Sequence, residues 1–144
     1  MQFKKSSETV LTDLDIRYKF TVIFIGDKGQ PPQFFNIPEG MFDALKWAHK
    51  YNLPIIITEN GVEDNKDSLR PRYTIEHLHQ VWKAANFNWR VKGYFHWSLV
   101  DNFEWDDGWF PKFGLYKLSS DGIIFERKIK RSGKKYREII RNFN

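Results

Sequence analysis

One carboxylate in this 144-residue chain stands where an α/β protein places chemistry. The stretch Pro54-Ile55-Ile56-Ile57-Thr58-Glu59-Asn60-Gly61 reads as a short apolar strand over 55–58, buried on both faces, that runs into an Asn-Gly turn. Glu59 sits between the strand and the turn. A side chain at the carboxyl end of a parallel strand is held by the sheet and still faces a ligand, which suits nucleophilic or acid–base work. A second carboxylate, Glu104, closes a dense cluster, Gly93-Tyr94-Phe95-His96-Trp97-Ser98-Leu99-Val100-Asp101-Asn102-Phe103-Glu104-Trp105. Two readings stay open on these residues alone. Glu59 and Glu104 are a working pair flanked by the indoles of Trp97 and Trp105. Alternatively, Glu59 is a turn residue and the indoles are core aromatics.

The flanking segments supply elements that would carry these groups. Pro38-Glu39-Gly40 opens a helix in which Met41, Ala44, Leu45 and Ala48 share one apolar face, and Pro54 forces its end. Glu63 to Asp67 is a polar, acidic loop. A second helix is expected from about Arg72 to Asn86, with Leu78, Val81, Trp82 and Ala85 on its apolar side. The next strand runs from Val91 to Trp97. About thirty residues containing a helix separate the two strands, which is a βαβ crossover and implies a parallel pair. Beyond it, Phe113 to Leu118 and Ile123 to Phe125 flank Ser119-Ser120-Asp121-Gly122 as a hairpin. A last helix puts Tyr136, Ile139, Ile140 and Phe143 on one face. Residues 1–36 are poorly assigned: Arg17 to Ile25 alternates like a strand, and Gly26 to Pro32 is loop-like.

Composition narrows the class. Hydrophobic residues make up 41% of the chain, enough for a core, and aromatics 17%. Such an aromatic excess suits a deep core, a sugar-stacking surface or an interface. There is no Cys, so neither a disulfide framework nor a thiolate metal site is available. His77 and His79 lie two apart on a predicted helix and cannot share a face as metal ligands. No metal and no organic cofactor is expected. The longest apolar run, Phe20 to Ile25, is far short of the ~20 residues that span a bilayer, and no signal-peptide pattern follows the first residues. A soluble, cytoplasmic chain is the expectation.

Taken together, Ile57-Thr58-Glu59-Asn60-Gly61, Gly93 to Leu99 and Asp101-Asn102-Phe103-Glu104-Trp105 resemble the C-terminal part of a glycoside hydrolase family 1 enzyme, the family of β-glucosidases and β-galactosidases. Pro38-Glu39-Gly40-Met41 and Phe113-Gly114-Leu115 fit the same pattern. The resemblance implies an α/β chain, a partial TIM (β/α)8 barrel covering about the last two to three β/α units, with residues 37–144 as its C-terminal portion. Barrels of this kind take ~250 residues, more than this chain holds. The strands at 55–58 and 91–97 would then be the seventh and eighth. The resemblance also implies a retaining β-glycosidase acting on a β-linked glycoside or oligosaccharide. Glu59 would be the nucleophile, Trp97 the platform on which the sugar stacks, Glu104 the acceptor of distant hydroxyls and Trp105 an N–H donor to a neighbouring hydroxyl. A retaining enzyme needs a second carboxyl about 5 Å from the first. In this family that acid/base is the glutamate of an Asn-Glu-Pro sequence, and none occurs in this chain. The chain is therefore expected to be weakly active or inactive alone, either a sugar-binding remnant or one part of a site completed by a complementing chain.

Positive charge is concentrated near the end. Arg127, Lys128, Lys130, Arg131, Lys134, Lys135, Arg137 and Arg141 form a basic run within a net charge of +5. It reads as the solvated outer face of the last helix, so no nucleic acid is expected; a nucleic-acid contact is the competing reading. Asp101, Asp106 and Asp107 read as loop and capping residues, and His96 as a residue packed near a barrel rim.

Overall fold

The computed structural model describes residues 36–120 and 125–142. The reading of Arg17–Ile25 as a strand, the loop at 26–32 and the position of Phe143 all fall outside the described residues. In chain order the elements are α1 (Pro38–His49), β1 (Ile55–Asn60), α2 (Arg70–Asn86), β2 (Val91–His96), a single 3-10 turn (Trp105–Asp107), β3 (Tyr116–Ser120), β4 (Phe125–Ile129) and α3 (Arg131–Asn142). β1 and β2 pair in parallel, with Ile55 opposite Val91, Ile56 opposite Gly93 and Ile57 opposite Tyr94. β3 and β4 pair antiparallel, from Tyr116–Ile129 to Ser120–Phe125. The expected α-β-α-β order and hairpin are therefore present. Strand β1 runs two residues further than its apolar stretch, through Glu59 to Asn60.

Local chemistry sets the ends of these elements. Pro38 and Pro71 stand in the first turns of their helices, where a missing N–H costs nothing. Asp64 caps α2: one carboxylate oxygen accepts the N–H groups of Leu69 at 2.7 Å and Arg70 at 2.9 Å. The expected acidic loop at 63–67 is present, with Asn65 and Lys66 exposed, but its Asp64 and Asp67 turn inward to form a joint. Arg70 is wholly buried and donates to the carbonyls of Val62, Asp64 and Lys112 and to Asp67 at 2.6 Å. The other oxygen of Asp67 accepts the N–H of Ser132 at the start of α3. A planar guanidinium with five donors suits a junction of several carbonyls.

Two expectations about burial are corrected. Strand β1 is not covered on both faces: Ile56 is 55% exposed, as is Phe95 on β2 at 61%. A βαβ unit by itself puts helices on one face only. In α2 the buried residues are Arg70, Tyr73, Thr74, His77 and Ala84, whereas Trp82 is half exposed. The apolar periodicity of Leu78, Val81 and Trp82 marks a cleft of about 330 Å3 shared with Tyr94 and with Tyr136, Ile139 and Ile140 of α3. Arg70, Tyr73 and the Nδ1 side of His77 find hydrogen-bond partners on the inner face, whereas Thr74 Oγ1 and His77 Nε2 have none among the described residues.

The hairpin is fastened to the end of β2. Segment 98–101 pairs with 113–116 through Ser98 N–H to Phe113 O, Leu115 N–H to Ser98 O, Tyr116 N–H to Leu99 O and Asp101 N–H to Tyr116 O. Gly114 is required there, since a Cβ would lie 2.2 Å from the Asp101 nitrogen. Asp101 is not a loop capping residue. It is 3% exposed, accepts the Gly114 N–H and pairs with Lys130 at 2.7 Å. Lys130 is thus withdrawn from the basic run; Arg127, Lys128, Arg131, Lys134, Lys135, Arg137 and Arg141 are exposed. Among the described residues no helix is long and apolar enough to cross a membrane.

Candidate active site

Parallel pairing delivers the ends of β1 and β2 to the same edge of the sheet, and the four expected site residues all lie beyond or at those ends. Glu59 is exposed near the end of β1. The register slips between Ile57 and Asn60, and Thr58 and Glu59 are both exposed in succession. A slip of this kind breaks the strand's alternation and re-aims a side chain. Among the described residues no hydrogen bond or ion pair engages the Glu59 carboxylate.

What holds Glu59 is its neighbour. Asn60 looks like a turn residue in the sequence, but its side chain is the junction of three elements. One amide N–H donates to the Tyr73 hydroxyl at 3.0 Å and the other to His77 Nδ1 at 3.2 Å, both on α2. The amide oxygen accepts the Tyr94 hydroxyl of β2 at 2.9 Å. The Asn60 carbonyl accepts the Trp97 N–H at 3.0 Å. Gly61 then passes so close to Trp97 that a Cβ would lie 1.7 Å from its carbonyl oxygen. The strand that carries Glu59 and the residue Trp97 are therefore tied through backbone.

Burial sets the protonation of this junction. It lowers His77 to about 4, against a smaller opposing effect of Glu76, so the ring is neutral. Accepting at Nδ1 leaves the His77 proton on Nε2. Burial raises Tyr73 to about 12 although the Asn60 hydrogen bond opposes it, and raises Tyr94 strongly. Both phenols remain neutral hydroxyls. The Tyr73 and His77 rings stack with centroids 3.8 Å apart.

The second cluster forms around Glu104. The Trp97 indole N–H donates to Glu104 Oε1 at 3.2 Å and the Asn102 amide donates to the same oxygen at 2.9 Å. Ser98 follows Trp97 across a cis peptide bond, and its hydroxyl lies 3.0 Å from the Asn102 amide oxygen and 2.9 Å from the Val100 carbonyl. Trp105 begins the 3-10 turn with φ +44° and is 86% exposed, which rules out the core reading for its indole. Phe103 and Trp109 meet edge to face beside it, with centroids 5.8 Å apart. The structure thus brings Trp97 and Glu104 into direct contact, links Glu59 to Trp97 through Asn60, and leaves Trp105 projecting from the same loop.

The sequence marks Asn60 as a turn residue and singles out neither Ser98 nor Asn102. Hydrogen-bonding side chains next to candidate groups were the available signal. His96 is buried, lowered to about 4 by burial and by Arg70, and packs near Tyr136. Among the described residues no group of three or more His, Cys, Asp or Glu assembles that fits a metal ion.

Comparison with known proteins follows the same segments. The model of glycosyl hydrolase family 1 matches residues 17–144. The β-galactosidase of Pyrococcus woesei is 47% identical over 107 residues, which cover 73% of this chain and 20% of that enzyme. β-Glucosidase A of Thermotoga maritima is 38% identical over 117 residues, covering 74% of this chain and 26% of that protein. The crystal structure of the β-glycosidase from Thermosphaera aggregans superimposes with a TM-score of 0.69 at 44% identity, covering 74% of this chain and 22% of that one. The chain therefore spans about a fifth to a quarter of the relatives it matches.

Proposed function

The chain belongs to glycosyl hydrolase family 1, and on that premise we propose that it carries the nucleophile and the sugar grip of a retaining β-glycosidase, on part of a (β/α)8 barrel. The observation that supports this best is the backbone link from Glu59 through Asn60 to Trp97, which brings a carboxylate unbonded among the described residues and an indole to one edge of one parallel sheet. Glu59 attacks the anomeric carbon, forms a covalent glycosyl-enzyme and expels the leaving group. Trp97 stacks against the apolar face of the sugar ring. Glu104, an acceptor-only group when ionised, takes hydrogen bonds from hydroxyls remote from the reacting carbon. Trp105, with its indole in solvent, donates to a neighbouring hydroxyl. The substrate is a β-linked glycoside or oligosaccharide.

Expulsion of a poor leaving group needs a general acid, and water attack on the intermediate needs the same group as base. The 144-residue sequence holds no Asn-Glu-Pro, so both roles fall to a group outside it. Without that group the rate falls by about 10² to 10⁴. The test is labelling with a 2-deoxy-2-fluoro β-glycosyl fluoride, whose leaving group departs without acid. Intact mass is expected to show one adduct, mapped to Glu59 and absent from Glu59→Gln. A folded chain that gains no adduct, or gains one elsewhere, refutes this reading.

A further inference from the structure

Resting on the sugar-grip reading above, we infer that Asn102 is the positioning residue that divides the two oxygens of Glu104, holding Oε1 for the protein and leaving Oε2 for a ligand hydroxyl. Glu104 Oε1 receives two donors, the Trp97 indole and the Asn102 amide. The orientation of that amide follows from its surroundings. Its Nδ2 faces two acceptors, Glu104 Oε1 at 2.9 Å and the Phe103 carbonyl at 3.5 Å, so the atom there must be the donor. The amide oxygen then faces Ser98, whose single proton is shared between it and the Val100 carbonyl. Ser98 is buried, 6% exposed, so this end of the chain of bonds is fixed.

The consequence concerns selectivity. A carboxylate free to rotate offers four lone pairs and accepts hydroxyls in several directions. With Oε1 occupied twice, Glu104 presents only the two lone pairs of Oε2, in fixed directions, and an epimer whose hydroxyl points elsewhere leaves one of them unpaired. Sites that must satisfy a buried polar group discriminate far better than apolar ones. The same two bonds fix the plane of the Trp97 indole, so the platform and the hydroxyl reader are set together.

The test compares labelling of the whole chain by 2-deoxy-2-fluoro-β-glucosyl fluoride and its galacto epimer, which differ at one remote hydroxyl. In Asn102→Ala the ratio of the two labelling efficiencies is expected to move at least fivefold toward unity. An unchanged ratio overturns the proposal. A second readout needs no sugar: the Trp97 indole N–H resonance, assigned with Trp97→Phe, should shift upfield in Asn102→Ala as its acceptor loosens. Asn102→Asp supplies a control that a general structural role does not mimic. At neutral pH the new carboxylate repels Glu104 and the resonance shifts as in the alanine variant. As pH falls and the pair takes up one proton, the new carboxyl donates to Oε1 and the resonance returns. If the wild-type chain takes no label, the glycosidase reading fails on its own terms, and the indole resonance still decides the clamp. An indole resonance that ignores Asn102→Ala, or an Asn102→Asp shift that is independent of pH, overturns it.

Discussion

At the residue scale, the side chains that make the candidate site are less informative than those that hold them. Glu59 is exposed and unbonded among the described residues, whereas Asn60 spends both amide hydrogens and its oxygen on Tyr73, His77 and Tyr94. Replacing Asn60 by Ala strands the Tyr73 hydroxyl and a His77 ring nitrogen and leaves the Tyr94 hydroxyl only its long 3.4 Å bond to the backbone carbonyl of residue 60. Leaving such groups unpaired costs about 1–3 kcal/mol each before relaxation. We expect Asn60→Ala to lower unfolding free energy by about 2–4 kcal/mol, measured by denaturant titration, and to slow 2-fluoro labelling of Glu59 beyond the loss of folded protein. A variant that loses stability but labels at the wild-type rate per folded molecule would confine Asn60 to the core.

The elements show what was legible in the chain and what was not. Isoleucines 55–57 and the crossover length marked the two strands and their parallel pairing. The hairpin lies in the region expected, but Ser119 and Ser120, read as turn residues, end β3, and the second strand runs from Phe125 to Ile129 rather than over 123–125. Helix α2 was placed but turned to the wrong side. Leu78, Val81 and Trp82 follow apolar periodicity, yet Tyr73, Thr74 and His77 are the buried face. That choice depends on Asn60, Tyr94 and the Asp64–Arg70 joint, which are distant in sequence, so no window along the helix reveals it. Asp101 and Lys130 were misread for the same reason: their pairing at 2.7 Å spans 29 positions. A testable consequence of the buried histidines on α2 and β2 is pH-dependent stability. His77 and His96 each fall to about 4 in the folded chain, chiefly through burial, against about 6.5 unfolded. The unfolded chain therefore binds more protons between those values, and stability rises with pH across that window. It is full above about 6.5 and declines as pH drops toward 4, by up to about 3 kcal/mol per ring by linkage. Denaturation midpoints measured from pH 7 to 4 should fall, and His77→Gln should flatten the profile by about half. A flat wild-type profile would show both rings to be solvated.

Among the described residues, one face of the β1–β2 sheet is left uncovered by the helices. Ile56 and Phe95, both more than half exposed, adjoin across Gly93: a Cβ on Gly93 would lie 3.5 Å from an Ile56 methyl and 3.9 Å from the Phe95 ring. These residues belong to the sheet face opposite the one that meets α1 and α2, and among the described residues no further strand pairs with either edge of this sheet. In the family's barrel such a face is filled by the inward side chains of the other strands. A chain holding this arc alone carries apolar area and unpaired strand edges that favour association. On the proposed reading, the edge that bears Glu59 and Trp97 is the carboxyl end of the same two strands. Association and completion of the site are then two outcomes of one surface. Sedimentation of the chain alone should show concentration-dependent oligomers, with binding of a hydrophobic dye. Ile56→Thr combined with Phe95→Thr should shift both toward monomer while leaving the β3–β4 hairpin and α3 intact by circular dichroism. A complementing segment that supplies the remaining strands and the Asn-Glu-Pro glutamate should compete with self-association for the wild-type chain and restore turnover of an aryl β-glycoside, and should do neither for the double variant. Oligomers that persist unchanged in the double variant would move the interface to the cleft between α2 and α3 lined by Trp82 and Ile140.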